Sequence, residues 1–455
     1  MTSTATVTVA DLARVITGPV LTPDDPGYAD EVTGFNLAHS PRPDVVVGAA
    51  DADDVAAAVA WATAAGLPIT VQATGHGLVA DVSGSLLIST RRLQALRIDP
   101  DARTATIGAG VRWRAVIDAA APHGLAPLNG SSSNVGAVGY TLGGGLGLLA
   151  RRYGFAADHV RALTLVTADG IVRTIDEQRE PDLFWAIRGG KVGFGIVTEM
   201  QIDLVPVTRF FGGGLFFTGT DAAQVMHAWR TWAPRLPEEV TTSIALLRLP
   251  PDPQLPPPLS GQFVVHLRYT HLGDAAAAAE LLEPMRHVAP VVFDTVAEMP
   301  YPACDAVHMD PPMPLPAVDH GIALGALPAA AVDALVGCAG AESGSAVTLT
   351  EVRLLGGRLA AAPACPNAVA GRDAAFGVYV LGVPDGPAAG LIPAQVQAVA
   401  QALQPWRSGA LPNFLGHASA AEFRDQWTPA IRARLAGIAA RFDPEGVLGR
   451  RVFTG

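Results

Sequence analysis

The stretch VVVGAADADDVAAAVAWATAAGLPITVQATGHG, residues 45–77, indicates a strand, a helix and a second strand in succession. Three valines at 45–47 form a short apolar run that predicts the first strand. The alanine-rich segment that follows predicts a helix, and Asp51 or Asp53 opens it because aspartate is a preferred N-cap residue. A second strand is predicted at residues 69–72. The chain therefore opens with a βαβ-type unit that ends in a small-residue loop.

The rest of the chain has two parts that differ in their predicted secondary-structure elements. Up to residue 205, short strands, helices and one hairpin are predicted at residues 86–89, 104–108, 113–123, 162–174, 182–187 and 195–204. The hairpin is indicated by an Asp-Gly turn at residues 169–170 between β-branched runs. After about residue 206, longer strands alternate with alanine-rich helices and proline-rich loops. The strands predicted there, at 240–248, 262–269, 345–355 and 375–382, favour an antiparallel sheet, and a helix is predicted over 420–442.

Composition excludes several classes of protein. With 49% hydrophobic and 16% charged residues and a mean hydropathy of +0.30, the chain is too apolar to be intrinsically disordered. Its 42 acidic and 31 basic residues give a net charge of -11, which argues against nucleic-acid binding. Cys304, Cys338 and Cys365 fit neither a disulfide framework nor a metal site. We therefore expect no metal and a reducing, cytoplasmic location.

No targeting or membrane segment is expected. Residues 1–15 lack a basic start followed by an apolar block, which a secretion signal requires. The uncharged run at residues 124–150 is interrupted by Gly, Ser and Asn and would leave backbone groups unsatisfied in lipid. The sequence leaves the oligomeric state open between a monomer and a homodimer.

Two glycine-rich stretches carry the candidate chemistry. In Thr74-Gly75-His76-Gly77 a predicted strand ends in a loop with one imidazole between two glycines, which let the backbone approach a ligand closely. Taken alone, His76 is either an ordinary loop histidine or a ligand-facing group. The second stretch is GSSSNVGAVGYTLGGGLG, residues 130–147. A G-x-G-x-x-A match at its end suggests a dinucleotide fingerprint, but the flanking strand and helix of such a site are not predicted.

A series of short blocks, in a fixed order, is more specific than any one of these motifs. The blocks are Arg42-Pro43, Thr74 to Gly77, Val135-Gly136 to Gly147, Arg152-Tyr153-Gly154, Ala168-Asp169-Gly170, Asp182 to Gly190 and Phe194 to Thr198. Asn413-Phe414 and Phe442-Asp443-Pro444 follow near the end of the chain. Together they resemble the berberine bridge enzyme-like flavoprotein oxidases, which have the vanillyl-alcohol oxidase, or PCMH-type, FAD-binding fold.

The resemblance implies an α+β fold. Residues 1–205 are expected to form a two-subdomain PCMH-type FAD-binding domain, and residues 206–412 a substrate domain with an antiparallel sheet covered by helices. Residues 413–455 are expected to return to the FAD-binding domain. The flavin ring would lie between the two domains.

The resemblance also implies an FAD cofactor and the residues that bind it. The histidine matching His76 bonds covalently to the flavin 8α-methyl carbon in this family, and a neutral imidazole has the nucleophilicity for that step. The other residues expected to bind FAD are Thr74, Gly75, Gly77, Ser131, Ser132, Gly136, Gly139, Leu142, Gly143, Gly144, Gly147, Gly195, Ile196, Val197 and Asn413.

Several positions depart from the family pattern, among them Gly193, where relatives usually have asparagine. Ser132 occupies the place of the cysteine that forms a second flavin link in many members, and a hydroxyl lacks thiolate nucleophilicity, so we expect attachment through His76 only. Lys191-Val192 replaces a glycine pair, and Lys191 either neutralises the pyrophosphate or is solvated. Tyr140, where relatives commonly have histidine, either lines the edge of the ring or simply packs. Leu411 occupies the place of the tyrosine that often acts as base, and leucine cannot accept a proton.

Replacements for the missing base are expected in the substrate domain. His266 and Arg268 share one face of a predicted strand, Glu351 and Arg353 share one face of another, and Tyr379 lies between apolar neighbours. If this sheet face looks toward the flavin, the polar side chains converge on a pocket. The alternative is a solvated or mutually salt-bridged sheet face. We take Tyr379 and Glu351 as the leading candidates for the base, with Arg353 or His266 fixing the substrate and Tyr140 beside them.

These observations predict an FAD-dependent oxidase. It would take a hydride from a small organic substrate, of the secondary-metabolite type, to flavin N5, and O2 would reoxidise the flavin to give H2O2. One alternative is a flavin-dependent oxygenase or oxidative cyclase, for which the missing tyrosine matters less. Another is a flavin-binding protein without redox turnover. The expected partners are the substrate and O2, with no nucleic acid and no membrane.

Overall fold

The strands of the described residues form three β-sheets, with helices packed between and outside them. The computed structural model describes residues 8–77, 82–416, 418–448 and 452–453. The strands are β1 (Val20–Leu21), β2 (Val45–Gly48), β3 (Ile69–Gln72), β4 (Leu86–Ser89), β5 (Leu96–Asp99), β6 (Thr104–Gly108), β7 (Val160–Val166), β8 (Val172–Asp176), β9 (Ile196–Asp203), β10 (Arg209–Thr218), β11 (Val240–Arg248), β12 (Phe263–His271), β13 (Val291–Asp294), β14 (Ala297–Pro300), β15 (Val318–Leu324), β16 (Leu349–Leu354), β17 (Phe376–Gly382) and β18 (Arg407–Gly409). The helices are α1 (Val9–Ala13), α2 (Tyr28–Val32), α3 (Ala52–Ala65), α4 (Trp113–Ala120), α5 (Ala137–Leu142), α6 (Ala150–Tyr153), α7 (Pro181–Gly190), α8 (Ala222–Trp232), α9 (Ala275–Arg286), α10 (Ala329–Ala339), α11 (Ile392–Ala402), α12 (Ala420–Arg424) and α13 (Pro429–Phe442).

The first sheet is small and mostly parallel, with the strand order β1-β2-β4-β3. Strand β4 pairs in parallel with both β2 and β3, and β1 lies antiparallel to β2. The side chain of Asp51 caps α3 by accepting a hydrogen bond from the backbone N–H of Asp54. Val55 and Val59 of that helix pack on the sheet in one apolar cluster. The predicted βαβ unit is therefore confirmed.

The second sheet is antiparallel, with the strand order β5-β6-β9-β7-β8. Strands β7 and β8 form the predicted hairpin, and Gly170 in its turn has a φ of 74°, in the left-handed region that favours glycine. Helices α4, α5 and α7 pack in the apolar core beside this sheet, and α13 from the end of the chain contributes Leu435 and Ile438 to the same core. The division into three segments stays a prediction.

The third sheet is large and antiparallel, with the strand order β13-β10-β12-β11-β16-β17-β15-β18, and β14 also pairs with β10. Helices α8 to α11 cover one face. Their apolar side chains share a core with even-numbered positions of β11, such as Ile244 and Leu246, and with Val352 and Val378 of the neighbouring strands. Because successive side chains of a strand point to opposite faces, residues 243, 245, 351, 353 and 379 face away from the helices.

The structure corrects some of the predicted elements. The single helix expected over 420–442 is two helices, because Pro429 begins α13 and lacks the N–H that a continuous helix requires. The strand expected at 345–355 covers only Leu349–Leu354, and β12 extends to His271. Strands β10 and β15 were not predicted, since β10 contains three consecutive glycines and β15 directly follows a proline-rich stretch.

The longest helices of the described residues, α3 and α13, have 14 residues each. A membrane-spanning helix needs about 20 apolar residues. None of the described helices combines the length and apolarity needed to cross a bilayer. The same part of the chain contains no group of three His, Cys, Asp or Glu side chains arranged to hold a metal ion.

Candidate active site

The loop after β3 holds His76 in one orientation. Gly75 has a φ of 68° and lies against Gly34, where a Cβ would come within 2.4 Å of the Gly34 Cα, so only glycine fits. The His76 ring stacks on Phe35 with the ring centroids 3.9 Å apart. Its Nδ1 lies 2.9 Å from Thr74 Oγ1. Its Nε2 is buried and has no hydrogen-bond partner among the described residues.

His76 is a neutral imidazole at physiological pH. Burial lowers its pKa to about 4, and the positive charge of Arg112 acts in the same direction. A neutral imidazole carries a hydrogen on one nitrogen and a lone pair on the other. In the tautomer whose Nδ1 donates to Thr74 Oγ1, the lone pair is on Nε2. That tautomer presents a buried nucleophilic Nε2, which no other group in the described chain engages.

The glycine-rich segment lies directly over the His76 loop. The backbone N–H of Gly136, at the start of α5, donates to Thr74 Oγ1 over 3.4 Å. A Cβ at Gly139 would meet no described atom within 4 Å, so α5 presents an open face there. Ser132 Oγ accepts a hydrogen bond from the backbone N–H of Asn134 at 3.3 Å.

Several glycines of the predicted cofactor set are also required by packing within the chain. A Cβ at Gly147 would come within 1.8 Å of the Asn129 carbonyl oxygen, and one at Gly195 within 2.2 Å of the Leu165 side chain. Four other members of the set lie close to apolar side chains: Leu142, Gly144, Ile196 and Val197. Their roles toward FAD, like that of the half-exposed Ser131, stay predictions.

Lys191 and Asn413 lie beside the His76 loop and the end of α5. Lys191 Nζ donates to Asn413 Oδ1 at 3.0 Å, and Asn413 Nδ2 donates to the Tyr140 carbonyl oxygen at 2.8 Å. A Cβ at Gly77 would be 3.8 Å from Lys191 Nζ. Burial lowers the pKa of Lys191 to about 8, so its ammonium is not that of a freely solvated surface lysine.

These features fit an FAD molecule. The buried His76 Nε2 without a partner suits a covalent or polar contact with the cofactor, and the open face at Gly139 lets a flat group approach the backbone. The ammonium of Lys191 suits an anionic group.

The third sheet brings the predicted catalytic residues onto one face. Cross-strand pairing aligns one row consisting of His266, Ala245, Glu351 and Tyr379. The adjacent row consists of Arg268, Ser243 and Arg353. This is the face that the helices leave uncovered. The polar residues therefore share one face, as the alternation in the sequence predicted, and Glu351 forms ion pairs with Arg268 and Arg353, as in the salt-bridged alternative. Their roles toward a substrate stay predictions.

Glu351 is the centre of this polar cluster and is fully buried. Arg268 Nη1 and Ser243 Oγ donate to its Oε1 at 2.6 and 2.7 Å, and Arg353 Nε donates to its Oε2 at 2.8 Å. His308 Nε2 lies 3.5 Å from Oε1. Burial alone would raise the pKa of Glu351, but the two arginines hold it well below the usual range. Such a carboxylate is a weak base. It is better suited to holding the side chains of the two arginines in place than to removing a proton.

His266 lies beneath Arg268. Its ring stacks on Phe216 with centroids 4.0 Å apart, and Arg268 Nε donates to its Nδ1 at 3.2 Å. Burial and then the positive charge of Arg268 lower the pKa of His266 well below the usual value, so the ring is neutral. Its geometry suits it to supporting Arg268.

Tyr379 forms a pair with Asp319, a residue that the sequence did not single out. The Tyr379 hydroxyl donates to Asp319 Oδ2 at 2.8 Å, and Asp319 Oδ1 is buried without a partner among the described residues. Burial raises the pKa of Asp319, although the hydrogen bond from Tyr379 opposes the shift. Burial also raises the pKa of Tyr379 well above its usual value.

Two cavities adjoin Arg353 on this face. The first is lined by residues that include Ser131, Leu146, Arg268, His308 and Arg353. The second is lined by Leu146, Ile322, Arg353, Gly377, Val378, Tyr379, Leu411 and Phe414. Both lie between the glycine-rich segment and the third sheet. Leu411, at the position of the usual tyrosine, therefore lines the same cavity as Tyr379.

Tyr140 lies in the packed layer beside the cavities. Its ring meets Trp113 edge to face with centroids 5.6 Å apart, and its hydroxyl is buried without a partner among the described residues. Burial raises the pKa of Tyr140, which keeps the phenol protonated. Its carbonyl oxygen, not its hydroxyl, binds Asn413.

Sequence reasoning missed three polar members of the site: Ser243, His308 and Asp319. Asp319 lies in VDHGIAL, residues 318–324, where an alternating pattern is present but short. Ser243 is in a predicted strand and shares the face of Ala245, so the same alternation could have identified it. His308 comes from a loop, and no periodic signal marks it.

Replacing Glu351 with Gln should destabilise the fold by about 3–5 kcal/mol, because two buried guanidinium groups lose their counter-charge. Denaturant unfolding at neutral pH measures this, with the exposed Glu283→Gln as the control. The folded-state pKa of Glu351 is depressed, so its contribution is present above the ordinary pKa of glutamate and is lost as the pH falls through the folded value. Equal stability of the two variants would contradict the ion-pair assignment.

Comparison with known proteins agrees with this geometry. Residues 43–176 match the family model of an FAD binding domain. The (R)-6-hydroxynicotine oxidase of Paenarthrobacter nicotinovorans is 34% identical over 225 residues, which are 49% of this chain and 46% of that protein. The alignment thus spans about half the length of this curated relative.

Two solved structures have the same fold over nearly the whole chain. The 6-hydroxy-D-nicotine oxidase from Arthrobacter nicotinovorans superposes with a TM-score of 0.82 and 25% identity, covering 95% of this chain and 96% of that one. BBE-like 1 from Physcomitrella patens superposes with a TM-score of 0.83 and 20% identity, covering 97% and 98%. The expected α+β fold and the FAD cofactor are confirmed. The chain therefore contains a segment similar to an FAD binding domain, at residues 43–176, and has the fold that the 6-hydroxy-D-nicotine oxidase and BBE-like 1 structures share.

Proposed function

We propose that the chain is an FAD-dependent oxidase that acts on a small, largely apolar organic molecule of the secondary-metabolite type. The observation that carries the proposal is the second cavity, in which Arg353 and Tyr379 stand among apolar side chains from both the glycine-rich segment and the third sheet. When bound, FAD supplies the hydride acceptor at flavin N5 and passes the electrons to O2, which yields H2O2. The residues of the chain supply binding, orientation and proton transfer.

His76 would hold FAD covalently and alone. Its neutral ring and its buried, unpartnered Nε2 support this role. Ser132 would form no second link, because its hydroxyl is a weak nucleophile and accepts a hydrogen bond within its own turn. The backbone of the His76 loop and of α5 would lie against the cofactor.

Tyr379 and Asp319 together would remove the proton from the substrate. The Tyr379 O–H already donates to Asp319 Oδ2, so its proton can move to Asp319 as the substrate proton moves to the Tyr379 oxygen. Burial raises the pKa of Asp319, and the carboxylate therefore accepts a proton more readily than an exposed aspartate does. Arg353, fixed by Glu351, would orient the polar group of the substrate.

The three cysteines, none of which forms a disulfide, support a reducing, cytoplasmic location. The apolar lining from Ile322, Leu411 and Phe414 supports a substrate with few polar groups. We expect a monomer or homodimer that needs no other macromolecule.

A substrate screen tests the proposal. The holoprotein is mixed without oxygen with pocket-sized alcohols and enols, and the visible absorbance of the oxidised flavin is followed. We expect at least one compound to bleach this absorbance, and admission of air to restore it with release of H2O2. Compounds that perturb the flavin spectrum by binding while none reduces the flavin would contradict the proposal and indicate a small-molecule binder.

A further inference from the structure

Lys191 is the only lysine in the chain, and it occupies a costly backbone conformation. Its φ is 65°, in the left-handed region that residues with a Cβ rarely adopt. It directly follows α7, in whose last turn Arg188 and Gly189 already depart from helical geometry. Strain of this kind persists where the surrounding structure holds it, often at a ligand site.

The ammonium of Lys191 points into the site between three separate segments. It donates to Asn413 Oδ1 at 3.0 Å and lies close to Gly77 of the His76 loop. Asn413 in turn is tied to the end of α5, because its side chain bonds to Tyr140 and a Cβ at Gly143 would come within 2.0 Å of its Oδ1. The ammonium is therefore adjacent to the His76 loop and to the end of α5, which both lie within the residues that match the FAD binding domain.

The charge of this ammonium has no counter-ion in the part of the chain that the structure describes. Among those residues no carboxylate forms an ion pair with it, and the one hydrogen bond is to a neutral amide. The residue is half-buried. An ammonium has three donors, and withdrawing it even partly from water without an opposite charge is unfavourable. Burial lowers the pKa of Lys191 to about 8, which reflects the same cost.

FAD carries negative charge that could balance Lys191. Its diphosphate is anionic at all times, and its ring gains negative charge on reduction. We propose that the Lys191 ammonium pairs with an anionic group of the bound FAD. The inference rests on FAD binding and is independent of the proposed oxidase activity.

The test compares Lys191→Met with the charge-preserving Lys191→Arg, each in a His76→Ala background so that FAD binds reversibly. The dissociation constant of FAD is measured by titration against the His76→Ala protein. We expect Lys191→Met to weaken FAD at least tenfold, and Lys191→Arg to restore most of the affinity. Higher salt should weaken binding less in Lys191→Met than in the parent.

Two further arms distinguish the sources of the negative charge. ADP carries the diphosphate without the ring, so a diphosphate partner predicts that ADP also binds Lys191→Met at least tenfold more weakly. A ring partner predicts unchanged ADP affinity. It also predicts a midpoint potential at least about 30 mV lower in the Lys191→Met holoprotein, which corresponds to a tenfold change in a two-electron equilibrium.

The inference is overturned if Lys191→Met binds FAD and ADP as tightly as the His76→Ala parent does and its midpoint potential is unchanged. Circular dichroism of each apoprotein verifies that the variants fold, and Lys191→Gln replaces Lys191→Met if the latter does not. Substrate oxidation is not used as a readout, so a failure of the oxidase proposal leaves this result readable.

Discussion

The holoprotein should keep its FAD after complete denaturation, and His76→Ala should release all of it. The reason is that His76 offers a neutral ring with a buried Nε2 that no described residue engages. Intact-mass measurement of the denatured protein decides the matter, because covalent attachment adds the mass of FAD to the chain. Loss of the imidazole removes the only nucleophile proposed for this bond.

Two control variants test whether His76 is the single point of attachment. Ser132→Ala should keep the full mass increment, since no second link is expected there, and the exposed His287→Ala should also keep it. A yellow wild-type protein whose denatured chain has the bare mass would refute covalent attachment. Loss of the increment in Ser132→Ala would show that Ser132 takes part.

Removing the Tyr379 hydroxyl should slow flavin reduction by the substrate about a hundredfold to ten-thousandfold, the usual contribution of general acid–base catalysis. Tyr379→Phe and Asp319→Asn each break the path along which the proton would move. Stopped-flow absorbance under anaerobic, single-turnover conditions measures the rate. The control is Tyr28→Phe, which removes a hydroxyl that bonds to the Pro43 carbonyl away from both cavities.

The pH dependence gives a second readout for the same pair. Asp319 must be ionised to accept the proton from Tyr379, so the wild-type rate should rise as the pH rises through the pKa of Asp319. Burial raises that pKa, and the rise should therefore lie above the usual aspartate range. Asp319→Asn should lack this rise.

Other variants identify the base if Tyr379 is not it. Glu351→Gln should affect stability more than the proton step, because both carboxylate oxygens are already bonded. Less than tenfold slowing in Tyr379→Phe, Asp319→Asn and Glu351→Gln, with acceleration in Leu411→Tyr, would show that the enzyme uses an already acidic substrate.

Much of the first two sheets could be predicted from the sequence because local signals and long-range packing agree there. Asp51 caps a helix between two apolar strands, and an Asp-Gly turn joins β7 and β8. The third sheet was harder to predict from the sequence. Three consecutive glycines interrupt the apolar residues of β10, and β15 has two polar residues near its start. The pairing of both with distant strands decides their conformation.

The candidate site was predictable where alternation along a strand fixed the face of each residue. Glu351 and Arg353 were recognised together on that basis. Ser243 could have been recognised in the same way, because it shares the face of Ala245 in a predicted strand. Asp319 could not, because it reaches the site through the pairing of β15 with β17, which the sequence does not encode locally. His308 arrives on a loop, and its contact with Glu351 is tertiary.

The central claim, that the chain is an oxidase, is tested most directly by one turnover with isotopically labelled oxygen. Substrate-reduced holoprotein is mixed with ¹⁸O₂, and peroxide and organic product are quantified by mass spectrometry. We predict one fully labelled H2O2 per flavin and an oxidised product without label. Label in the organic product, with less than equimolar peroxide, would contradict the claim and indicate an oxygenase.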